Sequence, residues 1–203
     1  MLKFSWVDLL MVAIIFRCIY VGKKSDIAIE LFKLLGIFFG IVVSLHYYLQ
    51  FYSIITRSIL FPDATPEIIS FLILIFWVYF LFLLLSSGWK SIIRPEGFAV
   101  LSKYGSLFFA SIRGILVCSI VIVGFMLSDI SFLAGAAQGS FSGRFIKGFS
   151  PAIYRFSYDK FIGKVTPGEI VNEKVFEVMA ETPPKQTEKP EELRTIDVVV
   201  YPK

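Results

Sequence analysis

Three ionisable residues standing in apolar surroundings set the chemistry this chain could do: Asp8, Glu30 and Arg113. Arg113 lies near the centre of the apolar stretch 104–127. An arginine at the middle of a lone bilayer helix costs about 2.5–3.5 kcal/mol on insertion scales. It must therefore face other helices, water or a carboxylate, and Asp8 and Glu30 are the available acids. By the topology expected below, each acid lies about 9 Å from Arg113 along the bilayer normal, by a rise of about 1.5 Å per residue. Long side-chain reach or a water would have to close that gap. The set reads either as a structural ion pair that fixes helix register or as a buried polar centre in a pathway. Glu30 and Lys33 are three apart and can pair on one helix face. Asp8 and Arg17 fall on opposite faces of one helix and cannot pair, so Arg17 is expected to snorkel toward headgroups.

The elements that must position these groups are four apolar runs, 6–21, 27–52, 68–85 and 104–127. A bilayer core is about 30 Å thick and needs about 20 mostly apolar residues per helix. The 203 residues are 56% hydrophobic and 18% charged, with mean hydropathy +0.74. A soluble chain would be about 25% charged. The expected fold is all-α: a polytopic membrane protein with four transmembrane helices, then amphipathic interfacial helices and a disordered C-terminal tail. Residues 1–130 form the four-helix transmembrane domain, 131–180 the juxtamembrane segment and 181–203 the tail. Lys3 before an apolar run superficially suggests a signal peptide. Asp8 interrupts that run, and no small-x-small cleavage site precedes Gly22, so it reads as an uncleaved first span.

Two stripes of small residues recur every four positions, Gly36, Gly40 and Ser44 in the second run and Ser106, Ala110 and Gly114 in the fourth. Such stripes let helices approach closely in lipid. The third run carries no charge and is expected to face lipid. The connections are expected at 50–66 and 86–103. Cys18 and Cys118 sit singly inside spans, without a C-x-x-C, and read as packing residues. His46, beside Tyr47 and Tyr48, reads as interfacial. No metal set, cofactor loop or nucleophile–base pair is visible, and no enzymatic activity is expected. The net charge of +4 points to anionic lipid contact and not to nucleic acid.

Beyond the fourth run the pattern changes. Residues 139–143 read as flexible. Phe141, Phe145 and Phe149 repeat every four residues, and Tyr154, Tyr158, Phe161, Ile162 and Val165 mark one apolar face. With Arg144, Lys147, Arg155, Lys160 and Lys164 around them, these suit either a helix lying in the interface or packing onto the bundle or a second subunit. Thr166-Pro167-Gly168-Glu169 has a capping-box pattern opening a helix to about residue 179. Residues 181–194 have a disordered composition, and 196–201 look strand-like or frayed. Lys and Arg counts place the 22–26 and 86–103 connections in the cytoplasm and both termini outside.

The order of features resembles the CvpA family, the colicin V production proteins of bacterial inner membranes. Trp6-Val7-Asp8 opens the match. The turn Gly22-Lys23-Lys24 follows, then Glu30-Leu31-Phe32-Lys33-Leu34-Leu35-Gly36, and Arg113-Gly114 closes a motif similar to the family's Gly-x-x-x-Gly-x-x-Arg-Gly. Ser106 and Ala110 stand where that pattern has glycines, and Asp26 and Ile29 where a glycine and a basic residue are usual. The resemblance implies a multi-pass inner-membrane protein linked to colicin V production or export and to envelope homeostasis. Related spans occur fused to an external serine protease; here the tail has no histidine, so no Ser/His/Asp set can form. The expected partners are the lipid bilayer and either further copies of the chain or an envelope protein. The main functional expectation is a membrane scaffold or accessory factor. The alternative is a small oligomeric transporter or channel subunit with Arg113 in its polar centre.

Overall fold

The computed structural model describes residues 5–58, 66–90, 99–128, 130–165 and 171–180. Every regular element among them is helical. Helices α1 (Trp6–Gly22) and α2 (Ile27–Ser58) form a hairpin, and α3 (Pro66–Lys90) packs along α2. Helix α4 (Ala99–Leu127) packs against both α1 and α2. Five short pieces follow: α5 (Ser131–Gly139), α6 (Phe141–Ile146), α7 (Phe149–Ser157), α8 (Gly163–Val165) and α9 (Lys174–Ala180), with a π-helical turn, Tyr158–Ile162, joining α7 to α8.

Among the described residues three helices are long and apolar enough to cross a membrane, over Ile27–Thr56, Glu67–Gly88 and Tyr104–Leu127. Helix α1 has 17 residues, short of the about 20 a span needs. Helix α3 leaves Phe76, Trp77, Leu81, Leu84 and Leu85 exposed. A contiguous apolar surface of this kind is stable only against lipid or a partner.

The helices run past the expected breaks. Residues 50–58 continue α2 instead of starting a loop, and their hydroxyls find acceptors within the helix. Thr56 Oγ1 donates to the Tyr52 carbonyl at 2.8 Å and Ser53 Oγ to the Gln50 carbonyl at 2.7 Å. Helix α3 likewise continues to Lys90. The connections at 59–65 and 91–98 lie outside the described residues. So do the capping pattern at 166–169 and the segment 181–203 with its expected disorder and strand-like end.

Helix α4 is buried on two faces at helical spacing. Leu116, Ile120, Val123 and Leu127 join Ile37, Ile41, Leu45 and Phe71. Cys118, Ile122 and Met126 join Val7, Met11 and Ala137. The stripes make both packings close. A Cβ on Gly36 would come within 2.8 Å of Phe82 Cβ, and one on Gly40 within 3.2 Å of Ile75, so this stripe seats α3. On α4, Ala110 and Ser106 face Gly22, and a Cβ on Gly114 would meet Cys18 Cβ at 3.3 Å, so this stripe seats α1.

One expectation is corrected beyond α4. Residues 139–143 are folded: Ser140 Oγ donates to the Ala137 carbonyl at 2.7 Å and accepts from Gly143 N at 2.9 Å, capping α6. A side chain at 143 would collide with the Ala137 carbonyl, so glycine is required there by contact. His46 is buried within the protein, with Nδ1 2.9 Å from the Tyr154 hydroxyl. Of the two placements open for the 150–165 region, Tyr154 takes packing onto the bundle, being fully buried. Phe141, Phe145, Phe149, Phe156 and Phe161 stay exposed.

Candidate functional site

The polar centre is built where α1, α2, α3 and α4 meet. Gly22 ends α1 and lets the hairpin turn lie against Ala110. Turn bonds from Lys24 N to the Val21 carbonyl and from Ser25 N to the Gly22 carbonyl, both 3.1 Å, then reverse the chain into α2. Glu30 follows in the first turn of α2, completely buried. Lys33 Nζ donates to Glu30 Oε1 at 2.7 Å and to Ser25 Oγ at 3.1 Å, so one lysine braces the turn and the acid.

Arg113 completes the set. Its Nη2 lies 3.1 Å from Glu30 Oε2, close enough to pair although the N–H is not aimed as a hydrogen bond. Nη1 donates to the Tyr79 hydroxyl and Nη2 to the Cys18 carbonyl, each at a long 3.4 Å. Nε has no hydrogen-bond partner. Arg113 therefore touches all three neighbouring helices. Ile27 packs against Gly105, which leaves Arg113 about 7.5 Å deeper than Glu30 at about 1.5 Å per residue. A helical side chain leans toward its own N-terminus, and arginine is long, so the offset closes without a water.

Asp8 does not take part. It sits at the opposite end of α1, buried, accepting backbone N–H groups from Ser5 at 2.9 Å, Ser142 at 2.7 Å and Phe141 at 3.3 Å. It ties the start of α1 to the start of α6. Of the two acids expected for Arg113, only Glu30 reaches it. The tie to α6 is invisible in the sequence, because two of the three donors lie more than 130 positions away.

A cleft of about 690 Å³ adjoins the centre. Each helix lends it one stripe: Ile14, Arg17, Cys18 and Val21 from α1, Lys33 and Ile37 from α2, Leu72, Ile75, Phe76 and Tyr79 from α3, and Arg113, Val117 and Ile120 from α4. Arg17 is exposed, with no hydrogen bond or ion pair among the described residues. Tyr79 was overlooked in sequence, since it stands in a run of Phe and Leu. A tyrosine inside an uncharged span was the available signal, because its hydroxyl needs a partner when buried. Gly114 matters beside Arg113 because it admits α1 to the distance at which Cys18 offers its carbonyl. Among the described residues no group of three His, Cys, Asp or Glu side chains could hold a metal ion.

A second polar cluster was also hidden in sequence. The Tyr154 hydroxyl, besides His46, accepts from Asn172 N at 3.0 Å, and Asn172 Nδ2 donates to the Leu45 carbonyl at 2.8 Å. Lys174 Nζ reaches Glu67 Oε1 at 2.6 Å, and Ser150 N donates to Ser119 Oγ at 2.9 Å. These bonds fasten α7 and α9 to the bundle, at the end away from the α1–α2 turn.

Apolar helices of membrane-crossing length around a buried, paired arginine define a helical membrane protein. The chain belongs to the colicin V production protein family, whose model matches residues 7–151. That match takes in Asp8, Glu30, Arg113 and both small-residue stripes, and it stops inside α7. No curated protein and no solved structure matches the chain.

Proposed function

We propose that the protein is a non-enzymatic inner-membrane factor of the colicin V production type. In this reading it serves as a scaffold or accessory in toxin production or secretion, or in envelope homeostasis. It crosses the bilayer four times, α1 included, with both termini outside the cytoplasm. The observation that carries the scaffold reading is the spending of Arg113 on its own neighbours: Glu30 of α2, the Cys18 carbonyl of α1 and Tyr79 of α3. A charge tied to three helices fixes their register. The tight seating of α1 on α4 through Gly22 and Gly114 supports counting α1 as a span. The exposed Phe141 and Phe145, in ring contact at 4.7 Å, offer a surface to an envelope partner or a second copy.

The open cleft beside Arg113 favours a second reading, a small oligomeric transporter or channel subunit. One experiment separates the two. Glu30 and Arg113 are replaced together by leucine, and membrane insertion and colicin V release are measured in a strain lacking the wild-type protein. A scaffold keeps function with the double change; a transporter inserts and loses it. A cytoplasm-active reporter fused after Lys203 tests orientation, since activity there would refute an outside C-terminus.

A further inference from the structure

The cleft has a direction. Its basic groups, Arg17, Lys33 and Arg113, gather at the end nearer the α1–α2 turn. Leu72, Ile75 and Ile120 line the other end. Arg113 and Ile120 are seven positions apart on α4, and so are Tyr79 and Leu72 on α3. The gradient from charge to hydrocarbon thus runs about 10 Å along the helix axes at about 1.5 Å per residue. Helices α2 and α3 around it are of membrane-crossing length, so the gradient runs across the bilayer, with charge toward one surface.

The charges do not balance. Among the described residues three cations meet one carboxylate, Glu30, which both Lys33 and Arg113 already neutralise. Arg17 is left unpaired, and the buried Arg113 keeps Nε without an acceptor. The cluster therefore carries two positive charges in excess beside nearly wholly apolar walls. A small hydrophilic anion would satisfy the charge and leave the apolar end empty. An apolar molecule would do the reverse. An amphiphile with an anionic head satisfies both, and the volume lies within the about 300–1,000 Å³ typical of ligand sites. Basic pockets between membrane helices suit anionic lipid headgroups for the same reason.

We propose that this cleft binds an anionic phospholipid. Its phosphate lies against Arg17, Lys33 and Arg113, and one acyl chain runs along Leu72, Ile75 and Ile120. The site is independent of whether the protein acts as scaffold or transporter. Neither pairing of Arg113 with Glu30 nor insertion requires it.

The test uses the full chain, purified in detergent and stripped of lipid. Phosphatidylglycerol, phosphatidylcholine and inorganic phosphate are titrated separately, with thermal stability and native mass spectrometry as readouts. Phosphatidylglycerol should bind and raise the melting temperature; the other two should do so far less. Arg17→Ala removes an exposed, unpaired cation and should weaken phosphatidylglycerol binding about fivefold. Leu72→Trp fills the apolar end, leaves every charge in place, and should weaken binding as well. Equal binding of phosphatidylcholine overturns the proposal. So does phosphate matching the lipid, which would mean an anion site without a tail. Wild-type affinity in both variants, or crosslinks from position 72 to a second copy in native membranes, would also overturn it.

Discussion

The two polar clusters at opposite ends of the bundle solve the same problem in different ways. Near the α1–α2 turn, Glu30, Lys33 and Arg113 bury formal charges, keep Nε of Arg113 unbonded and border an open cleft. At the other end His46, Tyr154 and Asn172 join α2, α7 and the 171–172 segment through short hydrogen bonds without an ion pair among them. A polar network whose members bond one another fixes geometry. A buried ion pair is a poor stabiliser beside an apolar replacement, yet breaking it on one side is severe. The contrast places anchoring at the His46 end and leaves the charged end as the place to look for binding.

The largest expected effect breaks the charged cluster on one side. Glu30→Leu leaves Arg113 and Lys33 without a carboxylate and should cost about 3–5 kcal/mol, while the Glu30→Leu/Arg113→Leu pair, which leaves only the part-buried Lys33 without its acid, should cost clearly less. Thermal unfolding in detergent reads both, and equal losses for the single and double changes would contradict the pairing. At the His46 end Tyr154→Phe removes the hydroxyl that meets both His46 and Asn172. It should cost about 1–3 kcal/mol and make the chain after residue 165 more sensitive to protease. Unchanged proteolysis would mean that the network does not hold α9.

Between the two ends, α2 carries the stripe that seats α3. Gly36→Leu, which would press on Phe82, should cost about 1–3 kcal/mol by overpacking, whereas Gly88→Leu, with nothing within 4 Å, should be silent. If both behave alike in the same melts, the close approach of α2 and α3 is not what Gly36 serves. The smallest effect belongs to Lys174→Met. Its pair with Glu67 is part-exposed on both sides, so it should contribute no more than about 1 kcal/mol, and less in high salt. A large, salt-independent loss would move that pair into the anchoring network.

Much of the site was legible because local spacing carries it. Glu30 and Lys33 are one turn apart on any helix, and the Gly22-to-Asp26 turn is announced by its composition. A run without charge, such as 68–85, must face lipid or neighbours on every side. The long-range contacts of Asp8 and His46 were hidden for one shared reason: Ser142, Phe141 and Tyr154 lie more than 100 positions away. Asp8 looked like an acid in search of Arg113, and three N–H donors use it instead. Nothing near His46 in sequence signalled that Tyr154 would fold back over it.

The sequence by itself determined that helices form, that most of their surface suits lipid, and that Arg113 must face other helices, water or a carboxylate. Hydrocarbon length, residue size and charge cost are properties of a residue and its near neighbours, and they survive without knowledge of the fold. Only the tertiary structure decided which acid Arg113 takes, that Tyr79 and the Cys18 carbonyl share it, and that an unbalanced basic cleft opens beside them. Those outcomes depend on how far one helix slides along another. That offset is set by glycine contacts such as Gly22 against Ala110 and Gly105 against Ile27, which no single stretch of the chain encodes.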